Sequence, residues 1–289
     1  MKLKKLLSVG LLVLAGLTSI AQPSYAFSLF KKGNESKLVQ LKGSDTILAV
    51  SQSVAEEFMK VNKNAKISVT GGGSGTGIAA KLNKTIDIAM ASREMESAEW
   101  AKAKSAGLNL QEITIAHDGI TLIVNKSNPV KNLTMAQLRD IYLGEIKNWK
   151  EVGGADERII LLSRDSSSGT HVYFKEHVLR NGKAKGPEEF ASNALFLPSN
   201  EALKQQVENS KGAIAYIGMG YSDSSTKELT INGVEANLAN VKAKKYPISR
   251  DVYWYADKNV SGTAKSLIDF MLSPQGQAIV KKEGFVPVK

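Results

Sequence analysis

Cysteine is absent from all 289 residues, which excludes a disulfide framework and a lipid-modified cysteine behind a leader. No apolar run reaches the roughly 20 residues needed to span a bilayer. The three histidines, His117, His171 and His177, form no pair at metal-ligand spacing, so no metal site is expected. There is no twin-arginine pair to carry a folded, preloaded protein across a membrane, and no cofactor is expected. No proline- and serine-rich linker, repeat or low-complexity tract breaks the chain. Any two lobes are therefore joined by structured strands. Lysines are spread along the chain instead of clustering with aromatics, which argues against a nucleic-acid partner.

What the N-terminus does contain is a leader pattern. Lys2, Lys4 and Lys5 precede an apolar run over residues 9–15, and Ser24-Tyr25-Ala26 supplies small residues at −3 and −1 of a cleavage site. Residues 1–26 are expected to be a signal peptide cleaved near Ala26, leaving a soluble periplasmic protein. Without the three leader lysines the formal charge falls from +10 to +7, a field that would draw in a small anion.

Hydrophobic periodicity predicts β-α-β-α-β-α-β over residues 38–118, with strands at 38–41, 66–70 and 86–91 and helices after residue 46 and at 76–83 and 96–104. Two further strands, 111–116 and 119–125, are expected on either side of Asp118-Gly119. A second unit follows: a helix capped by Thr134, strands at 159–162 and 213–217, and helices at 170–179 and 201–208. Two short helices separated by Ser273-Pro274 close the chain. Alternation of this kind predicts an α/β protein with a largely parallel sheet.

Between strand and helix lie three turns rich in hydroxyls and glycine: Gly43-Ser44-Asp45-Thr46, Gly73-Ser74-Gly75-Thr76-Gly77 and Ser166-Ser167-Ser168-Gly169-Thr170. Helix starts expose unpaired N–H groups and the positive end of the dipole, and glycine lets an oxyanion approach. Ordinary capping explains any one such turn; three in one chain point to an anion. Arg164 and Arg93 each follow a buried strand, where open α/β sheets place ligands, and a guanidinium can grip two oxygens of a tetrahedral anion. Competing motifs fail. No Gly-Lys-Ser/Thr follows the glycines, Thr76 stands where a serine-hydrolase elbow needs glycine, and Ser92-Arg93 stands where a dinucleotide site needs a carboxylate. His171, three residues from Ser168, is the only candidate base for catalysis, and its ordinary reading is a solvated helix histidine.

The chain resembles the PstS-type phosphate-binding proteins, periplasmic components of phosphate ABC transporters. The residues that carry the resemblance are GSDT (43–46), GGGSGTGI (71–78), IDIAMASREM (86–95), DGITLIVN (118–125), LTMAQLRDIYLGEIKNWKEVGG (133–154), SRDSSSGTHVYF (163–174), GAIAYIGMGY (212–221) and FMLSPQGQAIVKKEGFVPV (270–288). The resemblance implies a two-lobe periplasmic binding protein of the type II kind, with lobe one at 38–118 plus 250–289 and lobe two at 119–249. Two strands cross between the lobes, and the ligand lies in the cleft and closes it by hinge motion.

The resemblance also implies that inorganic phosphate is bound by Ser44, Thr46, Ser74, Arg164, Ser168, Gly169 and Thr170 and delivered to an inner-membrane permease by a monomeric, non-enzymatic receptor. Arg93 stands where many members carry an aspartate. It is expected at the phosphate, which leaves Asp118, ahead of Asp45, as the acceptor of the phosphate proton. A receptor for sulfate or molybdate is the alternative, and an extracytoplasmic phosphatase using Ser168 and His171 a more distant one.

Overall fold

A computed structural model describes residues 37–288; the expected leader and its cleavage point near Ala26 lie outside the described residues. Strand and helix alternate first as β1 (Val39–Gly43), α1 (Leu48–Val61), β2 (Ile67–Thr70), α2 (Ser74–Leu82), β3 (Ile88–Ala91) and α3 (Ser97–Ser105). The long strand β4 (Leu110–Val124) leads into β5 (Asn132–Leu133), α4 (Met135–Leu143), β6 (Ile160–Arg164), α5 (Gly169–Phe174), β7 (Leu195–Leu197), α6 (Asn200–Asn209), β8 (Ala213–Gly218), β9 (Lys227–Ile231) and α7 (Leu238–Lys242). β10 (Ser249–Asp257), α8 (Gly262–Met271) and α9 (Pro274–Lys282) complete the chain.

Local chemistry sets several boundaries. Thr134 and Gln137 exchange hydrogen bonds in a capping box that starts α4, which ends at Gly144 in the left-handed conformation, φ +81°. Ser273 caps α9, and Pro274 occupies its first turn, where a missing N–H costs nothing. The helix expected over 170–179 is α-helical only to Phe174; Lys175–Leu179 continue it as a π turn.

The sheet runs β2-β1-β3-β10-β4-β8-β6-β7, with β9 also on β4 and β5 on β9. It is mixed instead of largely parallel, because β10 is antiparallel to both β3 and β4. β5, β7, β9, β10 and α7 have no counterpart in the sequence-based expectation. β10 is buried over most of its length and shows no alternation that would mark it as a strand apart from its Tyr253-Trp254-Tyr255 run. The break expected at Asp118-Gly119 is no break: β4 is continuous, and here it exchanges neighbours. Up to Gly119 it pairs with β10, and from Ile120 onward with β8 and β9.

Two principal cores flank this exchange. One is built from Leu41, Ile47, Val54, Phe58, Ile88, Trp254 and Leu267, the other from Leu122, Leu138, Trp149, Phe174, Tyr216 and Ile248. β4 serves both, through Ile113, Ile115 and Ala116 in the first and Ile120, Leu122 and Val124 in the second, while β10 adds Val252, Trp254 and Ala256 to the first. No helix among the described residues is long and apolar enough to cross a membrane.

Candidate functional site

The three hydroxyl turns meet between the two cores. Ser44 and Thr46 are buried at the end of β1, yet α1 starts at Leu48 with Ile47 in the cap position and no side-chain cap bond. Their hydroxyls are thus not used to terminate a helix. The same holds for Ser74: α2 is preceded by Gly73 without a side-chain cap, and Ser74 Oγ accepts the Ser92 N–H at 3.0 Å. Ser168 does cap, accepting the His171 N–H at 3.4 Å, which leaves its own O–H to donate. Thr46 Oγ1 lies 2.7 Å from Thr170 Oγ1, so the first and third turns touch across 124 residues of sequence.

Glycine permits this approach. Gly73 has φ +90°, and a Cβ there would fall 2.4 Å from Ser167 Oγ. At Gly169 a Cβ would fall 2.4 Å from Ser74 Oγ and 2.8 Å from Ser92 Oγ. In the glycine run, Gly75 N–H donates to the Ser167 carbonyl at 3.0 Å, Gly72 N–H to Asp45 Oδ1 at 2.9 Å and Gly77 N–H to the Gly73 carbonyl at 3.2 Å. Much of the glycine run therefore serves contact between turns, a role that the strand-turn-helix pattern alone does not distinguish from anion contact.

Charge at the cluster comes as two ion pairs. Arg164, at the end of β6 and 1% exposed, donates from Nη2 to Asp45 Oδ2 at 3.1 Å and to the Pro198 carbonyl at 2.7 Å. Its Nε and Nη1 are buried without a hydrogen-bond partner. Arg250, on β10 directly opposite Asp118 on β4, donates to Asp118 Oδ2 from Nη2 at 3.0 Å and from Nε at 3.3 Å. It also reaches Thr170 Oγ1 at 2.8 Å and the Ser92 carbonyl at 2.7 Å.

Asp118 is wholly buried, and its Oδ1 has no partner. Burial pushes its carboxyl above the usual range against the pull of Arg250, and burial lowers Arg164 despite Asp45. Because each guanidinium has its own carboxylate, an incoming anion would be held by aimed donors and not by net charge.

Arg93 behaves differently from the expectation. Its fork is bidentate on Glu99, with Nη1–Oε2 at 2.7 Å and Nη2–Oε1 at 2.8 Å, and Nη1 also donates to the Glu94 carbonyl. The structure does not bring it to the hydroxyl cluster; it lines a neighbouring open cleft of about 1210 Å³, together with Glu94, Tyr173, His177 and Arg250. Ser44, Thr46, Ser74, Asp118, Arg164, Ser168 and Thr170 do not line that cleft. The converging donors, not the larger volume, mark the candidate site, since orienting an anion needs a few placed polar groups.

The residue that sequence reasoning missed is Arg250, whose only signal was its place at the start of an unrecognised strand. His171 is also corrected. It is buried, not solvated, with Nδ1 2.8 Å from the Arg164 carbonyl and its ring 4.7 Å from that of Phe190. Burial holds the imidazole below its ordinary value.

A mixed sheet shared by two cores, with guanidinium and hydroxyl donors converging between them, defines a periplasmic-binding-protein fold. A PBP superfamily domain matches residues 30–275. The phosphate-binding protein PstS of Bacillus subtilis is 33% identical over 89% of this chain and 83% of its own length. Its namesake in Borreliella burgdorferi is 30% identical over 90% of this chain and 93% of its own. Among solved structures, a substrate-binding protein from Clostridium perfringens with bound phosphate shares 38% identity at a TM-score of 0.81, covering 88% of this chain and all of the other. The chain belongs to the PBP superfamily and, within it, to the PstS family of phosphate-binding proteins.

Proposed function

We propose that the protein binds one inorganic phosphate between its two cores and delivers it in the periplasm to an ABC permease of the inner membrane. The observation that carries the reading is Arg164. A guanidinium 1% exposed, with two N–H-bearing atoms unpartnered, is costly unless an acceptor completes it. Hydroxyls of Ser44, Thr46, Ser74, Ser168 and Thr170, with the backbone of Gly169, supply the remaining donors, and Arg250 takes the place that Arg93 was expected to fill. Charge-assisted hydrogen bonds of about 1.5–3 kcal/mol each suffice for a micromolar or tighter site, which needs about 8 kcal/mol net.

The two cores act as lobes, 38–118 plus 250–289 and 119–249, that close over the anion by bending β4 and β10. Asp118 Oδ1 accepts the proton of a monohydrogen phosphate and repels sulfate, which carries none at neutral pH. The protein acts as a monomeric receptor and not as a phosphatase: Ser168 Oγ accepts the His171 backbone N–H and His171 Nδ1 meets the Arg164 carbonyl, so no hydrogen bond joins the imidazole to the Ser168 hydroxyl.

Calorimetric titration of residues 27–289, stripped of carried-over ligand, tests this. Wild type should bind one phosphate per chain and discriminate against sulfate. Asp118→Asn should narrow that gap by about tenfold or more, the worth of one charge-assisted hydrogen bond. No binding heat and no rise in melting temperature in millimolar phosphate would refute the reading; sulfate binding equal to phosphate would make the protein a general oxyanion receptor.

A further inference from the structure

Asn200, the first residue of α6, is 1% exposed, and its Nδ2 is a buried donor without a partner. The orientation of the amide is decided by its other atom. Oδ1 accepts the Gly218 N–H at 3.4 Å, and an N–H can only meet the oxygen, so the NH₂ group is turned the other way. Gly218 ends β8 beside the polar cluster: a Cβ on it would lie 2.9 Å from Thr46 Cγ2 and 3.5 Å from both carboxylate oxygens of Asp118. On its other flank Asn200 follows by two residues the Pro198 carbonyl that anchors Arg164 Nη2. The amide is therefore linked through Pro198 to Arg164 and through Gly218 to Asp118, and both of these residues carry buried polar atoms without partners. A lone orphan of this kind costs about 1–3 kcal/mol, and three residues bearing them around one place point to a shared partner.

We propose that Asn200 is a further ligand of the anion, its side-chain amide donating to an unprotonated oxygen while Asp118 Oδ1 takes the protonated one. The proposal rests on the phosphate reading of the cluster. It adds a neutral donor, contributed by a helix start that the hydroxyl-turn pattern does not include. It also makes the protonation pattern of the ligand readable at two points: a donor at Asn200 and an acceptor at Asp118 demand one bare oxygen and one hydroxyl on the same anion.

Titration of wild type, Asn200→Ala and Asn200→Asp with inorganic phosphate at fixed alkaline pH tests it. Asp keeps the oxygen that Gly218 needs but exchanges the donor for a repelling carboxylate. A ligand role therefore predicts affinities in the order wild type, Ala, Asp, with a loss of about tenfold or more for Ala. If Asn200 merely holds Gly218, the order is wild type, Asp, Ala, and the proposal is overturned.

Should the Asp variant not fold, the Ala variant decides. Weaker phosphate binding with an unchanged ligand-free melting temperature supports the role; unchanged affinity, or a loss of affinity and melting temperature together, refutes it. Absence of binding by wild type would sink the phosphate reading itself, and it is recognised without any variant.

Discussion

The junction after β3 and the junction after β6 have the same plan, a buried strand with Ser-Arg at or just past its end ahead of a helix, and opposite outcomes. At the first, Ser92-Arg93 is followed by α3, whose first turn carries Glu99. That carboxylate completes a capping box and grips Arg93 in a bidentate pair, with side-chain exposures of 8% and 18%. At the second, Ser163-Arg164 is followed by α5, which has no acidic residue in its first turn. The adjacent Asp165 spends Oδ1 on the N–H and hydroxyl of Ser167. Arg164 finds Asp45 as its one carboxylate, with the Pro198 carbonyl beside it, and keeps Nε and Nη1 unpartnered, against Nε alone at Arg93. An arginine at a strand end becomes an anion ligand when no carboxylate on its own following helix can reach it.

The comparison breaks most sharply at Arg164. Arg164→Lys keeps the charge but cannot reproduce two donors at fixed spacing, so phosphate affinity should fall by about a hundredfold, the loss of roughly 3 kcal/mol of charge-assisted bonding. Titration against the matching Arg93→Lys variant, which should bind within a fewfold of wild type, checks it. Equal losses in the two variants would erase the distinction between the junctions.

Stability should show the reverse asymmetry. Glu99→Gln strips Arg93 of its partner and weakens the α3 cap. The expected cost is roughly 2 kcal/mol of unfolding free energy, below the about 3–5 kcal/mol of a wholly buried pair. Urea denaturation measures it, and phosphate affinity should stay put. A Glu99→Gln protein that loses binding without losing stability would return Arg93 to the ligand set.

The smallest effect concerns His171, which follows the second junction and packs under Arg164. Burial lowers its imidazole below the ordinary 6.5, so the unfolded chain takes up that proton first as pH falls. The stability this residue contributes is fully present above about pH 6.5 and declines below it. His171→Asn should flatten the fall of ligand-free melting temperature on acidification by roughly 2 °C. His177, also lowered by burial, keeps a residual slope. A variant as acid-sensitive as wild type would mean that His171 titrates normally.

Much of the fold was legible because its causes are local. Thr134 with Gln137, and Ser273 with Pro274, announce helix starts through contiguous residues, and the buried run Ile88–Ala91 reads as a strand by itself. The site was half legible. Hydroxyl-rich turns at strand ends were visible, and the absence of a side-chain cap at Ile47 and Gly73 gives Ser44, Thr46 and Ser74 a role beyond helix starts. Glu99 was available as a warning about Arg93, since a carboxylate three residues into the next helix lies within reach of a strand-end arginine.

By itself the sequence determined most of the order of strands and helices up to β4, the two closing helices and the three turns that carry hydroxyls, because capping, chain direction and burial period depend on neighbours along the chain. Only the tertiary structure decided which charges meet. Arg250 faces Asp118 through the register of two antiparallel strands, Thr46 meets Thr170, and Asn200 arrives from a helix start beside Gly218. Those partnerships join residues 18 to 132 positions apart, and they exist only once β4 and β10 have brought the two cores side by side.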